Sequence, residues 1–151
     1  MKLIFNCLFI FKLLFSSELI PPTEDIDWNI LQETPIWIGW TEHGGHKWCK
    51  ASYVIPASIL EVQRILEDKK NYPKVFKRIE KINLITDEIV HIVLDMPFPF
   101  YGRDYIVSYN QYSEDDAFIY KYTSVDSLQI PIYKDYIRLI NASGEWVLDP
   151  V

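Results

Sequence analysis

Asp95-Met96-Pro97-Phe98-Pro99-Phe100-Tyr101-Gly102-Arg103-Asp104-Tyr105 separates two strand-like runs and cannot belong wholly to either. Pro97 and Pro99 have no amide hydrogen to give to a sheet ladder, so they place a loop between strands. Upstream, residues 81–86 and 88–96 flank Asp87 as the arms of a hairpin would. Downstream, residues 104–112, 117–125 and 133–141 alternate apolar and polar side chains with the period of two that a strand shows. Residues 113–116 are an acidic turn, and residues 144–148 begin one more strand.

The clear helix signal lies before these strands. Ser58, with Glu61 three residues on, forms a capping box, and Ile59, Val62, Ile65 and Leu66 follow at helical spacing. Glu61 stands early and Lys69 and Lys70 late, as the helix dipole prefers. Asn71-Tyr72-Pro73 ends the helix, and residues 74–79 add a further turn with Val75, Phe76 and Ile79 inward. Earlier still, residues 35–40 and 47–55 read as a hairpin joined by Thr41-Glu42-His43-Gly44-Gly45-His46. A strand pair, a helix and a long run of hairpins predict an α+β domain on a curved antiparallel sheet, not a doubly wound parallel one.

The rest of the composition agrees with one globular domain. The chain has 151 residues, of which 49% are hydrophobic and 24% charged. A net charge of −6 argues against a nucleic-acid binder held by counterion release. Two cysteines are too few for a disulfide framework. Aromatic residues reach 15%, and their amphipathic rings suit a lined cavity or a buried interface. Residues 1–17 combine Lys2, an apolar stretch and Ser16-Ser17, the parts of an export signal, which predicts a secreted or periplasmic protein; the alternative is an N-terminal apolar segment of a cytoplasmic one. Residues 18–27, with Pro21-Pro22, read as a linker, and residues 28–151 as the domain.

Pro56-Ala57-Ser58 before the helix, then Leu66-Glu67-Asp68 and Tyr72-Pro73, resemble the helix entry of the START-related lipid-transfer domains. The segment from Asp95 to Tyr105 resembles that family's Pro-aromatic-Pro loop followed by Arg-Asp-aromatic at a strand start. The resemblance covers roughly residues 28–151. It implies a helix-grip fold, with short helices between strands 2 and 3 and a lipid-sized tunnel between a curved sheet and a long C-terminal helix. The family's pattern runs on past Gly144-Glu145-Trp146-Val147-Leu148 into further strands and that closing helix. Neither is present here, so the resemblance implies an incomplete domain with an uncovered apolar face.

The residues expected to line the cavity follow. Arg103 shares a strand face with Tyr105, Val107 and Tyr109, and its charge needs a partner there. Asp95, Asp104 or the head group of a lipid could supply it, while Asp104 points the other way in the strand and reads as a cap of the loop. Phe98, Phe100 and Tyr101 would border the tunnel mouth. Tyr120 and Tyr122 share a face with Phe118, and His91 alternates onto the face of Asp95. His43 and His46 lack a third ligand nearby, so no metal site is expected. Cys49 is expected to be a buried, inert thiol. Asn141-Ala142-Ser143 matches a glycosylation acceptor, a pattern common by chance. Phosphate-binding, dinucleotide-binding and hydrolase motifs are absent from the sequence, so no cofactor is expected.

These features lead to the expectation of a non-enzymatic module that binds a lipid or other hydrophobic small molecule, with possible transient membrane contact. The alternatives are a helix-grip enzyme of cyclase, dehydratase or hydrolase type, using His91 with Asp95 or Arg103 as its polar pair, and a truncated fragment that needs a partner.

Overall fold

The computed structural model describes residues 19, 21–22, 26–126 and 130–151; the expected leader, residues 1–17, lies outside them, as does part of the linker. Strands β1 (Asn29–Gln32), β2 (Trp37–His43) and β3 (His46–Ser52) form a three-stranded antiparallel sheet. The expected hairpin is present with a shorter link, because β2 continues to His43, which pairs with His46. Gly44 (φ 60°) and Gly45 (φ 77°) make the turn, and a left-handed pair of this kind suits glycine and the twist of the flanking strands.

Helix α1 (Ile59–Glu67) carries the capping box: the Glu61 amide donates to Ser58 Oγ at 3.3 Å and the Ser58 amide to Glu61 Oε2 at 2.8 Å. Leu66 is buried, Ile59 and Val62 pack beside it, and Ile65 turns out to solvent. A 3₁₀ turn (Lys69–Asn71) leads into α2 (Tyr72–Val75). This turn starts two residues earlier than the pattern predicts. Pro73 lies in its first turn, where the missing amide hydrogen costs nothing, so it opens a helix rather than stopping one. The register shift leaves Val75 exposed, buries Tyr72, and keeps Phe76 and Ile79 inward.

The second sheet contains β4 (Ile79–Leu84), β5 (Ile89–Leu94), β6 (Gly102–Glu114), β7 (Ala117–Ser124) and β9 (Ser143–Leu148), antiparallel and in that order. One expectation fails here. Residues 133–141 do not form an antiparallel strand; only β8 (Tyr136–Arg138) is extended, and it runs parallel to β6. The reason is space. β7 pairs with β6 only from Val107 onward, and β8 occupies the lane beside Gly102–Asp104 that β7 leaves open.

Alternation along the strands gives the second sheet two faces. The inner face, on which α1 packs, carries Val90, Ile92 and Val107, flanked by Ile82, Leu94, Tyr105, Tyr109 and Tyr122. It continues into Phe118 and Tyr120 beneath Leu66, with Tyr109 in contact with both groups.

Candidate functional site

The inner face gathers five of the aromatic side chains into one cluster. Along β6, residues 103, 105, 107 and 109 alternate inward, and the register sets Tyr109 opposite Tyr122 on β7. Tyr109 stacks on Tyr120 with ring centroids 4.9 Å apart, and lies 6.0 Å from Tyr122; Tyr105 lies 6.4 Å from Tyr122. Tyr72 joins from α2, its hydroxyl donating to the Leu66 carbonyl at the end of α1. Gly144 on β9 is what lets Tyr122 lie flat, since a Cβ there would come within 2.5 Å of the Tyr122 hydroxyl oxygen.

Burial raises the pKa of every phenol in this group. Tyr72 is pushed up to about 12, and Tyr105, Tyr109, Tyr120 and Tyr122 also stand above their ordinary value, in each case chiefly through loss of water around the ionised form. The Tyr120 hydroxyl is fully buried and has no hydrogen-bond partner among the described residues. At the edge of the cluster, Lys69 sits over the Tyr109 ring at 5.2 Å and donates to the Asp87 carbonyl at 2.9 Å. Partial burial lowers its pKa.

Arg103 lies at the opposite end of the face, half-buried. Its expected carboxylate partners do not meet it: Nη1 donates instead to the carbonyls of Tyr101 and Gly102. The guanidinium thereby pins the base of the loop between β5 and β6. Phe98 at the loop tip is 98% exposed, with Phe100 at 61% and Tyr101 at 64%, so the loop presents three aromatic rings to solvent.

His91 and Asp95 are not brought together. In the β5–β6 register His91 faces Ile106 and Val93 faces Asp104, which sets His91 on the outer face beside Asp104, away from the tyrosines. Asp95 is exposed. Asn83 Nδ2 meets His91 Nδ1 at 3.0 Å; the amide nitrogen can only donate, so Nδ1 accepts and Nε2 carries the hydrogen given to Asp104 Oδ2 at 2.8 Å. Arg138 completes the group with a forked contact, Nε to Oδ1 at 2.9 Å and Nη2 to Oδ2 at 2.7 Å. Asp104 therefore clasps β8 to the sheet rather than capping the loop. Burial pushes its carboxyl up, but the hydrogen bonds from Arg138 and His91 outweigh that and hold it below the usual value. His91 and Asp104 are wholly buried and engaged, and the Tyr133 ring stacks on the imidazole at 5.9 Å. Arg138 escaped the sequence reading; alternation gives its face but not its partner.

The remaining candidates are quickly placed. His43 and His46 pair across the first hairpin, and no cluster of three metal-ligating side chains forms among the described residues. Cys49 is exposed, not buried, because its face of β3 is uncovered. Among the described residues no helix is long and apolar enough to cross a membrane. Among the described residues, one shallow hollow is walled by Trp28, Trp37, Lys50 and Ser52 and another lies between residues 46–48 and 141–143, neither of them lined by the inner-face tyrosines.

No family model matches the chain. It is 23% identical over 131 residues to an uncharacterized protein of Pseudomonas aeruginosa, a match covering 82% of this chain and 65% of that protein. The chain thus spans just under two thirds of that relative's length. Among solved structures it is similar to a STAR-related lipid transfer protein from Xanthomonas axonopodis, with a TM-score of 0.69 at 18% identity, covering 82% of this chain and 74% of the other. Human STARD10 gives a TM-score of 0.63 at 16% identity over 80% of this chain and 53% of the other. The lipid transfer and protein localization domain of human StarD13 gives 0.63 at 16% identity, covering 82% and 70%. The fold is START-like, an α+β helix-grip arrangement built mostly of antiparallel sheet.

Proposed function

We propose that the chain binds a lipid or another hydrophobic small molecule against the inner face of its second sheet, as a binding module rather than an enzyme. The observation that carries this reading is the inner face itself, an apolar floor of Val90, Ile92 and Val107 edged by tyrosines, on a START-like fold. Each methylene of a bound chain contributes about 0.8 kcal/mol on leaving water, so a dozen of them outweigh the cost of ordering the ligand. The enzyme alternative calls for His91 with Asp95 or Arg103, but His91 is spent on Asn83 and Asp104, and Arg103 is tied to the Tyr101 and Gly102 carbonyls.

The exposed rings of Phe98, Phe100 and Tyr101 form an apolar lip that touches a bilayer during loading. Arg103 keeps donors to spare after its two carbonyl contacts and orients an anionic head group at that end. Residues 1–17 act as an export leader, so loading takes place in an envelope or extracellular compartment.

Native mass spectrometry of the gently purified chain, followed by analysis of extracted lipid, tests the central reading. A stoichiometric hydrophobic adduct on a monomer supports it. An empty chain, even after incubation with cell lipid extract, overturns it. The Arg103→Ala variant should lower the share of anionic lipid recovered without lowering total adduct. Replacing Phe98 and Phe100 with Ser should reduce co-flotation with phosphatidylcholine vesicles.

A further inference from the structure

We infer that the first sheet carries a binding site of its own, for a small planar aromatic ring bearing a carboxylate, in the hollow walled by Trp28, Trp37, Lys50 and Ser52. The site goes beyond the lipid reading, since none of its walls belongs to the second sheet. The hollow measures about 370 Å³, at the small end of ligand sites, which suits a ring system rather than an acyl chain.

Two indoles set its shape. The register places Trp37 opposite Ser52 and Gly39 opposite Lys50, all on one face of the sheet. The Trp37 ring lies against Gly39, where a Cβ would come within 2.6 Å of it, so glycine is what lets the ring lie down along the strand. Trp28 meets that ring at 79°, with centroids 6.0 Å apart. A flat guest laid on one indole therefore abuts the other, which rewards a rigid planar ring.

Charge decides what the ring carries. An aromatic corner alone would draw a cation. The only carboxylate in the three paired strands is Glu42, and alternation turns it to the opposite face, where Lys47 stands across from it and lies over the Trp40 ring. Lys50 stands across from Gly39 and joins no ion pair among the described residues, where both ion pairs fall on Asp104. The hollow thus holds an ammonium group with no carboxylate on its face of the sheet. The indole N–H groups and the ammonium can only donate, and Ser52 Oγ is the one side-chain atom of the hollow able to accept. A sugar needs acceptors for its hydroxyls and is poorly served there, whereas a carboxylate accepts from every donor present.

The test follows the indole N–H signals of the full chain by NMR, assigned with Trp28→Phe and Trp37→Phe, while 2-naphthoate, its neutral counterpart 2-naphthamide, and glucuronate are titrated in turn. 2-Naphthoate should move the Trp28 and Trp37 signals and leave that of Trp146 in place. 2-Naphthamide should bind about threefold to fivefold more weakly, the worth of one exposed ion pair. Lys50→Gln changes an exposed side chain. It should bring 2-naphthoate down to the amide's affinity and leave the amide within about twofold. Added salt should weaken the acid alone. Equal binding of acid and amide overturns the inference, as does a preference for the acid that survives Lys50→Gln. Glucuronate binding as tightly as 2-naphthoate overturns it too, and so does movement confined to Trp146 or no movement of the two indoles at millimolar probe.

Discussion

Asp104 shows what a single residue can hold together. It is fully buried yet ionised, because His91 and Arg138 supply hydrogen bonds from strands far apart in sequence. Removing one partner leaves an under-compensated charge, so Arg138→Met should cost about 3 kcal/mol, read as a lower urea midpoint. The pH dependence follows from the depressed carboxyl pKa. The stabilisation is complete above the ordinary value of 3.8 and fades as pH falls through the lower folded value, so unfolding in acid should begin there and begin earlier in Arg138→Met. The sequence shows that Asp104 and Arg103 face opposite ways, since alternation needs only neighbours. It does not show that Asp104 meets residues 13 and 34 positions away, because that depends on register across strands.

Elements were legible in proportion to how local their causes are. The capping box of α1 is written in Ser58 and Glu61 and appears as read. Ser58→Ala should remove about 1 kcal/mol of stability, seen in thermal unfolding by circular dichroism. The strands β4 to β7 and β9 also follow their alternation. β8 is not legible from alternation, because three paired residues are too few to show a period and its lane is set by where β7 stops. Gly102 makes that pairing possible. A Cβ there would run into the Tyr136 ring, so Gly102→Ala should loosen β8. Faster hydrogen exchange at the Leu139 amide, which donates to the Asp104 carbonyl, is the expected signature. Of the candidate residues, alternation groups Arg103 with Tyr105 and Tyr109, and Tyr120 with Tyr122, while the register between β6 and β7 is what brings the two groups together. Tyr72 belongs to neither group, because its place depends on Pro73 starting a turn.

Across the whole molecule, buried phenols tie stability to alkaline pH. A tyrosine whose folded pKa is raised contributes fully below the unfolded value of 10 and loses that contribution as pH climbs toward the folded one, about 12 for Tyr72. Ionisation followed at 295 nm should therefore lag for the clustered tyrosines and coincide with loss of near-ultraviolet dichroism. The two sheets also divide the tryptophans. Trp37, Trp40 and Trp48 lie in the first sheet and Trp28 packs against Trp37 beside it, while Trp146 stands on β9, opposite Tyr120 and 5.9 Å from Phe76. A phenol excited at short wavelength passes its energy to a nearby indole. Tyr120, one of five clustered tyrosines, thus stands opposite one acceptor on the inner face, and a molecule lodged among them would change the colour and yield of the light that Trp146 returns.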